Sequence, residues 1–507
     1  MELKTQTTNI VLSENILDQA FEVSFEIDFL LPDYNPNIFK VLKSIVAPKI
    51  YGTRISGNKL IVDGVSVVKV IYCAEESGKL VGLDQKIPFS KTIDLKVPAD
   101  GGEISAKATL DYVNTRVINS RRIGGSGALS LHISVSIPSK QEIVIGAEGD
   151  GVKVKKNSFD LGDKKSTGIK QFSIHEELEL GGAGAETIIY ETATVSAGTV
   201  KILGGKMIAK ADLTLHIIYL EDGTEEIKTA DFVIPVSQIV DADGVSEDYS
   251  GAVSFDVTGV ATELKTDEDG VAKLLAAGVD ITASAKAFSS SSTEGIADIF
   301  STEYTLDVES KAVKTEKPLG FITASESFKT EIGDEGFVVV KDVLADISNI
   351  TAKTTEDNIT VSADIELTTF GKDSEGLMGV ALRTVPAEFV ITNKTGAAGA
   401  MFDAEASVGK IEFALADGGI EVSMTVGIYG LVYVGATAEV ITGISIAGEK
   451  DAGRSPAALT LYFAGQDETV WEVARKYNAD PDAIAEENDL EGEAIPAGAM
   501  VLIPCDR

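Results

Sequence analysis

Asn58-Lys59-Leu60-Ile61-Val62, running on to Val70-Ile71-Tyr72, sets the architecture of this chain, because it occurs three times. It returns as Gly205-Lys206-Met207-Ile208-Ala209, running to Ile217-Ile218-Tyr219, and in weaker form as Asn358-Ile359-Thr360-Val361, ending at Thr369-Phe370. Each copy is a β-branched run closed by an aromatic, a composition that suits a pleated surface. Each is followed by a polar turn (Glu75-Glu76-Ser77-Gly78, Glu221-Asp222-Gly223, Lys372-Asp373-Ser374-Glu375-Gly376) and then by a second strand-like run carrying Pro88, Pro235 or Pro386. The prolines fall 28, 28 and 27 positions after Leu60, Met207 and Ile359. Two such runs joined by an acidic or glycine turn predict a β-hairpin, and proline in the second run predicts an edge strand, where no ladder donor is required.

The repeat starts lie 147 and 152 positions apart. That is the size of a whole domain, so the copies are expected as beads in tandem and not as stacked solenoid units. A further apolar stretch closes each bead: Leu129 to Val135, Val279 to Ala287 and Ile420 to Tyr429. The charged or Ser-rich segments near Gly146 to Ser166 and from Ser289 to Lys317 read as linkers with some strand content. The expected class is mainly β, three tandem β-modules over 1–137, 165–290 and 320–448, followed by a small βααβ domain over 459–507.

That last domain is legible from its caps. Leu459 to Ala464 alternates like a strand, and Thr469-Val470-Trp471-Glu472 is a capping box opening a helix whose apolar face holds Val470, Val473, Ala474 and Tyr477. Asp480 caps a second helix with Pro481 at its first position, and Met500 to Ile503 returns as a strand. The joint ahead of it, Lys450 to Ala458, is rich in small and charged residues and reads as a flexible boundary.

Composition narrows the function. The 507 residues carry a formal charge of -35, which repels phosphate backbones and anionic bilayers, so nucleic acid is not an expected partner. Two cysteines, Cys73 and Cys505, are too far apart in sequence to suggest a disulfide framework or a metal-ligand spacing. Residues 1 to 10 carry Glu2, Lys4 and polar residues in place of an apolar core, so no secretory signal is expected there. The uncharged run Val422 to Ala438 contains Gly427, Gly430 and Gly435 among β-branched residues, so it reads as strand and no membrane span is expected. His132, His175 and His216 stand in strand-like contexts without a nucleophile in a known signature, and read as surface or half-buried strand residues. Gly204-Gly205-Lys206 lacks the spacing of a phosphate loop and reads as a hairpin turn. Asp267-Glu268-Asp269-Gly270 lacks the spaced ligands of a calcium loop and reads as a turn. No catalytic residue, metal site or cofactor is expected, and the chain is expected not to be an enzyme.

Two resemblances sharpen this. Ile27-Asp28-Phe29-Leu30-Leu31-Pro32, Pro36, the run Asn58 to Gly64, Val70-Ile71-Tyr72, Ile87-Pro88-Phe89 and Tyr112-Val113-Asn114 to Arg121 resemble the sporulation-associated β-module called the SPOCS domain. The likeness is fullest over 1–137, looser over 165–290 and weakest over 320–448. Gly465, Asp467, Thr469, Trp471, Tyr477, Asn488, Ile495-Pro496, Gly498 and Leu502-Ile503-Pro504 resemble the LysM domain over its whole length. LysM members bind N-acetylglucosamine glycans in a groove between two loops. The resemblance places those loops at Gly465, Gln466, Asp467, Glu468 and Thr469, and at Asn488, Asp489, Leu490 and on to Ile495, with Trp471 nearby either packed within the domain or anchoring a partner. Residues 459–507 hold eleven acidic residues against Arg475, Lys476 and Arg507, which tolerates neutral sugars but not anionic wall polymers. SPOCS modules followed by LysM are similar to spore-coat morphogenetic proteins of the SipL type. That similarity implies a scaffold in the mother-cell cytoplasm, at the forespore surface or coat, engaging the coat ATPase SpoIVA. The competing expectation is a cell-wall glycan-binding protein.

Overall fold

The computed structural model describes the chain apart from residues 1–2, 197, 225, 267–270, 334, 417, 451–458 and 505–507, and apart from the side chains of 159–165, 290–291 and 459. The Asp267-Gly270 turn, Cys505 and most of the Lys450 to Ala458 joint therefore lie outside the described residues.

The protein is mainly β, and the repeat seen in the sequence is one topology used three times. In the first module, β1 (Lys4–Leu30), β6 (Arg122–Glu148) and β5 (Glu103–Asn119) form one antiparallel sheet in the order β1-β6-β5. β2 (Ile38–Ser56), β3 (Lys59–Ala74) and β4 (Leu80–Asp94) form the other, a meander. The second module repeats this with β7 (Val152–Glu179), β12 (Ser250–Lys265) and β13 (Leu274–Ser301) against β8 (Ala185–Val195), β9 (Thr199–Leu203), β10 (Lys206–Glu221) and β11 (Ile227–Asp241). The third uses β14 (Tyr304–Ile332), β18 (Met401–Ala416) and β19 (Gly419–Glu449) against β15 (Val339–Thr354), β16 (Asn358–Lys372) and β17 (Met378–Thr392). Each is a two-sheet sandwich whose core comes from the inward residues of both sheets, such as Leu60, Val62, Leu129 and Leu131 in the first.

The quoted repeats are the central meander strands β3, β10 and β16. Pro88, Pro235 and Pro386 lie opposite Val65, Asp212 and Asp364, each the fifth position after its repeat start. All three prolines sit on edge strands β4, β11 and β17, as their missing N–H demands. Val422 to Ala438 lies within β19. Gly205 turns β9 into β10 at φ 73°, the left-handed conformation glycine adopts without strain.

Two expectations are corrected. The segments read as linkers are continuous strands: β6 runs to Glu148, β7 starts at Val152, β13 ends at Ser301 and β14 starts at Tyr304. These outer strands are 27 to 31 residues long because each serves twice, in its sandwich and then, past β-bulges at Asn15/Leu17, Ser289/Ser291 and Pro318/Gly320, in a two-stranded ribbon. Their charge and serine content mimic a linker because a ribbon buries little of its surface.

Nor are the modules beads. The three ribbons pack on one another through Ile10, Ile143, Val313 and Val440, and through Val144, Ile296, Ile299 and Ile441. At the meanders a second shared cluster joins Ile71 and Leu80 of the first module, Ile189, Ile218 and Ile227 of the second and Phe370 of the third. The modules thus close a ring in which every module touches both others. Periodicity within a repeat cannot reveal this, since the seam residues are ordinary strand apolars.

The C-terminal domain pairs β20 (Leu459–Phe463) with β21 (Met500–Pro504) and places α1 (Val470–Tyr477) and α2 (Pro481–Glu487) between them in sequence. Thr469 and Glu472 form the reciprocal capping box, and Asp480 accepts from the Asp482 amide. Val470, Val473, Ala474, Ile484, Ile495, Val501 and Ile503 make its core.

Candidate functional site

The sequence places its candidate site on the two loops of the C-terminal domain, and the structure divides those residues into two groups. The loops lie side by side, since Thr469 bridges Ala494, the Val470 amide donates to the Glu493 carbonyl and the Ile495 amide to the Glu468 carbonyl. Several candidates are spent on holding this arrangement. Asn488 Nδ2 donates to the carbonyls of Ile484 and Leu502, and its Oδ1 accepts from the Leu502 amide at 2.7 Å, pinning the helix end to β21. Glu468 accepts from the Gly465 amide and from Tyr462 Oη, each at 2.8 Å, and the backbone bond and then the tyrosine bond hold its carboxyl below the usual range. Thr469 is the helix cap, Leu490 packs on the domain core and Ile495 is buried. Gly465, Gln466 and Asp467 in the first loop and Asp489 in the second are exposed.

Trp471 is half-buried against the core of its own domain and also reaches beyond it. Its ring meets Phe300 of β13 edge-on, with centroids 5.1 Å apart, and Nε1 donates to Asp298 Oδ2 at 2.8 Å. Arg475 Nη1 reaches the same carboxylate oxygen at 2.7 Å. Around this anchor Asn478 Nδ2 donates to the Thr302 carbonyl, Lys153 pairs with Asp480, and Lys155 pairs with Glu493 at 2.9 Å. The C-terminal domain is therefore seated on the second module's ribbon, with the indole serving as an internal contact. Sequence inspection missed this because the partners, Asp298 and Phe300, lie in a segment that reads as a linker.

The rest of the molecule shows structural ionic chemistry. His132 lies opposite Ala20 and Lys107, and His175 opposite Gly278, on strands β6 and β7. His216 is different: Nδ1 lies 2.7 Å from Asp231 and Nε2 lies 2.9 Å from Asp342 of the third module. Burial pulls its pKa down, but the two carboxylates outweigh that and hold it at about 9. Where the three modules meet, burial lowers the pKa of Lys49 and raises those of Asp256 and Asp346, the lysine and the two acids partly compensating one another. Among the described residues no group of three or more His, Cys, Asp or Glu side chains is arranged to hold a metal ion. No described helix is long and apolar enough to cross a membrane.

The exposed apolar residues were not anticipated. Leu461, Phe463 and Met500 project from the outer face of the C-terminal hairpin, and Phe463 and Met500 are cross-strand partners. The alternation in Leu459 to Ala464 carries that signal, but both faces of this short strand are apolar, so the pattern does not show which face is outside.

Comparison with known proteins bears on two of the modules. No curated protein and no solved structure matches the chain. The family described as SipL, SPOCS domain matches residues 37–118 and 185–265. The first match spans β2 to β5 and the second β8 to β12, so the same part of the same topology is recognised in both modules. By these two matches the first and second modules carry the SipL SPOCS domain.

Proposed function

We propose that this protein is a non-enzymatic scaffold of endospore coat assembly that docks, through its LysM-type C-terminal domain, on a coat morphogenetic protein of the SpoIVA kind at the forespore surface in the mother-cell cytoplasm. The paired SPOCS matches are the observation that carries the coat context. The docking half of the proposal draws on the exposed loop residues Gly465, Gln466 and Asp467 and on Asp489. They give an already folded domain an acidic contact surface that suits a basic patch on a protein. Asn488 and Ile495 are committed to internal contacts and are not free to meet a sugar between the loops. All three β-modules serve as SPOCS or SPOCS-like framework.

Binding of the full chain to the purified coat ATPase and to chitin oligomers tests this. Binding to the protein is expected, with loss of at least tenfold in Asp467→Lys/Asp489→Lys, and no saturable glycan binding. Saturable glycan binding without protein binding would replace this reading with wall-glycan recognition.

A further inference from the structure

The charge of this chain is unevenly placed. Residues 1–148 contain 17 Asp and Glu against 16 Lys and Arg, a net of -1, so the other 359 residues carry -34 of the total -35. The first module also presents large apolar side chains at its tip, the end remote from the ribbons. Leu30 is 75% exposed, Tyr34 86% and Phe39 65%. Ile118 lies over Gly124, where an added Cβ would meet it at 3.1 Å. Exposed Lys40 and Arg116 flank them.

The repeats provide an internal control. The position before the last buried residue of the long first strand is Leu30 here, but Glu179 and Glu331 in the other modules, where Leu180 and Ile332 take the place of buried Leu31. Ile38 and Ala185 pair with equivalent strand positions, Ala74 and Glu221, so Phe39 corresponds to Glu186. The third module has Val338 (54% exposed) in the place of Phe39, with Leu377 (56%) exposed nearby. What sets the first module apart is therefore the pair of exposed aromatics Tyr34 and Phe39 together with Leu30, which the fold does not require. The tip loop is also held in shape. Arg121 donates to the carbonyls of Leu31, Pro32 and Asn35, and Tyr72 Oη donates to the Pro36 carbonyl at 2.9 Å. A fixed loop displaying a tyrosine loses little entropy on binding.

The complementary surface lies on the C-terminal domain. Leu461 (58% exposed), Phe463 (67%) and Met500 (56%) form an apolar face on a domain with eleven acidic and three basic residues. The two surfaces cannot meet within one molecule. The C-terminal domain sits by Asp298 and Phe300 at the ribbon end of the molecule, whereas Leu30 closes the opposite end of β1, twenty strand residues beyond the ribbon residue Ile10, roughly 65 Å at 3.3 Å per residue.

We propose that the chain associates head to tail with a second copy of itself, the apolar, cation-flanked tip of the first module seating on the exposed hairpin face of the next copy's C-terminal domain. The contact is heterologous, so each added copy leaves one free surface of either kind and linear growth follows. It uses neither candidate docking loop and is independent of the proposed partner.

Sedimentation velocity on the full chain tests this with two variants, Leu30→Glu/Tyr34→Ser at the tip and Phe463→Glu at the hairpin, each checked by circular dichroism. Wild type is expected to form concentration-dependent oligomers that weaken with added salt. Each variant alone should be monomeric, and their equimolar mixture should give a dimer and nothing larger, because each supplies the surface the other lacks. Monomeric wild type at tens of micromolar, or oligomers that survive in either variant, would overturn the proposal. So would monomeric wild type that binds anionic vesicles through the tip.

Discussion

His216 Nε2 lies 2.9 Å from Oδ2 of Asp342 across the seam between the second and third modules. Each seam of the ring carries an ion pair between neighbouring modules. His216 stands nine residues after its repeat start and so does Lys69, which pairs with Glu191 between the first and second modules. At the closing seam the polarity is reversed: Glu366 of β16 reaches Lys43 of β2 at 3.2 Å. Lys43 and Asp342 occupy matching places, opposite Ile71 and Phe370, each eleven residues after a repeat start. Three related sequences thus use three different ion pairs at related joints, which gives each module a preferred neighbour.

The middle seam contains a histidine, so its strength depends on pH. The folded pKa of His216 is about 9, above its ordinary value near 6.5, so its contribution to stability is fully present below about pH 6.5 and is lost as pH rises through about 9. Asp342 is only 4% exposed, so removing its partner strands a buried carboxylate. His216→Ala should cost on the order of 3 kcal/mol at pH 6, and the difference from wild type should shrink toward pH 10. Urea titrations at both pH values measure it. A pH-independent difference would mean the histidine is neutral in the fold.

Trp471 is the only tryptophan, so its emission reports the seat of the C-terminal domain alone. Asp298→Ala removes the acceptor of the indole N–H and of Arg475 in one step. A red-shifted emission maximum and faster proteolytic release of the domain are expected, with the β circular dichroism of the ring unchanged. An unshifted spectrum would show that Phe300 alone holds the indole.

The sequence reveals what is periodic and local. Strand class, the edge prolines, both helix caps and the hairpin turn at Gly205 were legible because each depends on neighbours in sequence. The ring was not, because Ile189 or Phe370 in a seam looks like any inward strand residue. Charge was misleading for a physical reason: Lys153 and Lys155 look like linker residues, yet they ride on β7 and pair with Asp480 and Glu493 more than 300 positions away. Of the candidate loop residues, resemblance to a domain type selected loop positions without separating those that hold the loops, such as Asn488, from those that face solvent, such as Asp467.

Close backbone approach makes the first seam sensitive to one glycine. A Cβ on Gly82 of β4 would stand 1.8 Å from the carbonyl oxygen of Ile189 in β8, so any side chain forces the two modules apart. Gly82→Ala should destabilise the protein by about 1–3 kcal/mol, the range for overpacking. Gly57→Ala provides a contrast: nothing lies within 4 Å of its added Cβ, so only the strain of its φ of 61° is expected. Equal thermal shifts in the two variants would rule out a tight first seam.

A closed ring and a string of beads unfold differently. In a string, removing the third module leaves the first two as they were, because only a linker is lost. Here excising residues 304–507 removes Phe370 from the shared meander cluster, Val313 and Val440 from one ribbon cluster and Ile441 from the other. It also removes Glu366 and Asp342, which leaves Lys43 and His216 without these partners. The C-terminal domain goes with the third module in this truncation, so a second chain ending at 449 separates its effect. The chain 1–449 should unfold in one cooperative calorimetric transition close to that of the full ring, since the C-terminal domain is seated on the ribbon and takes no part in the three ion-paired seams. The chain 1–303 should melt lower and expose apolar surface to a hydrophobic dye, because Ile71, Ile189 and Ile218 lose part of their cover. If 1–303 kept the transition temperature of 1–449, the three modules would be energetically independent in spite of their contacts.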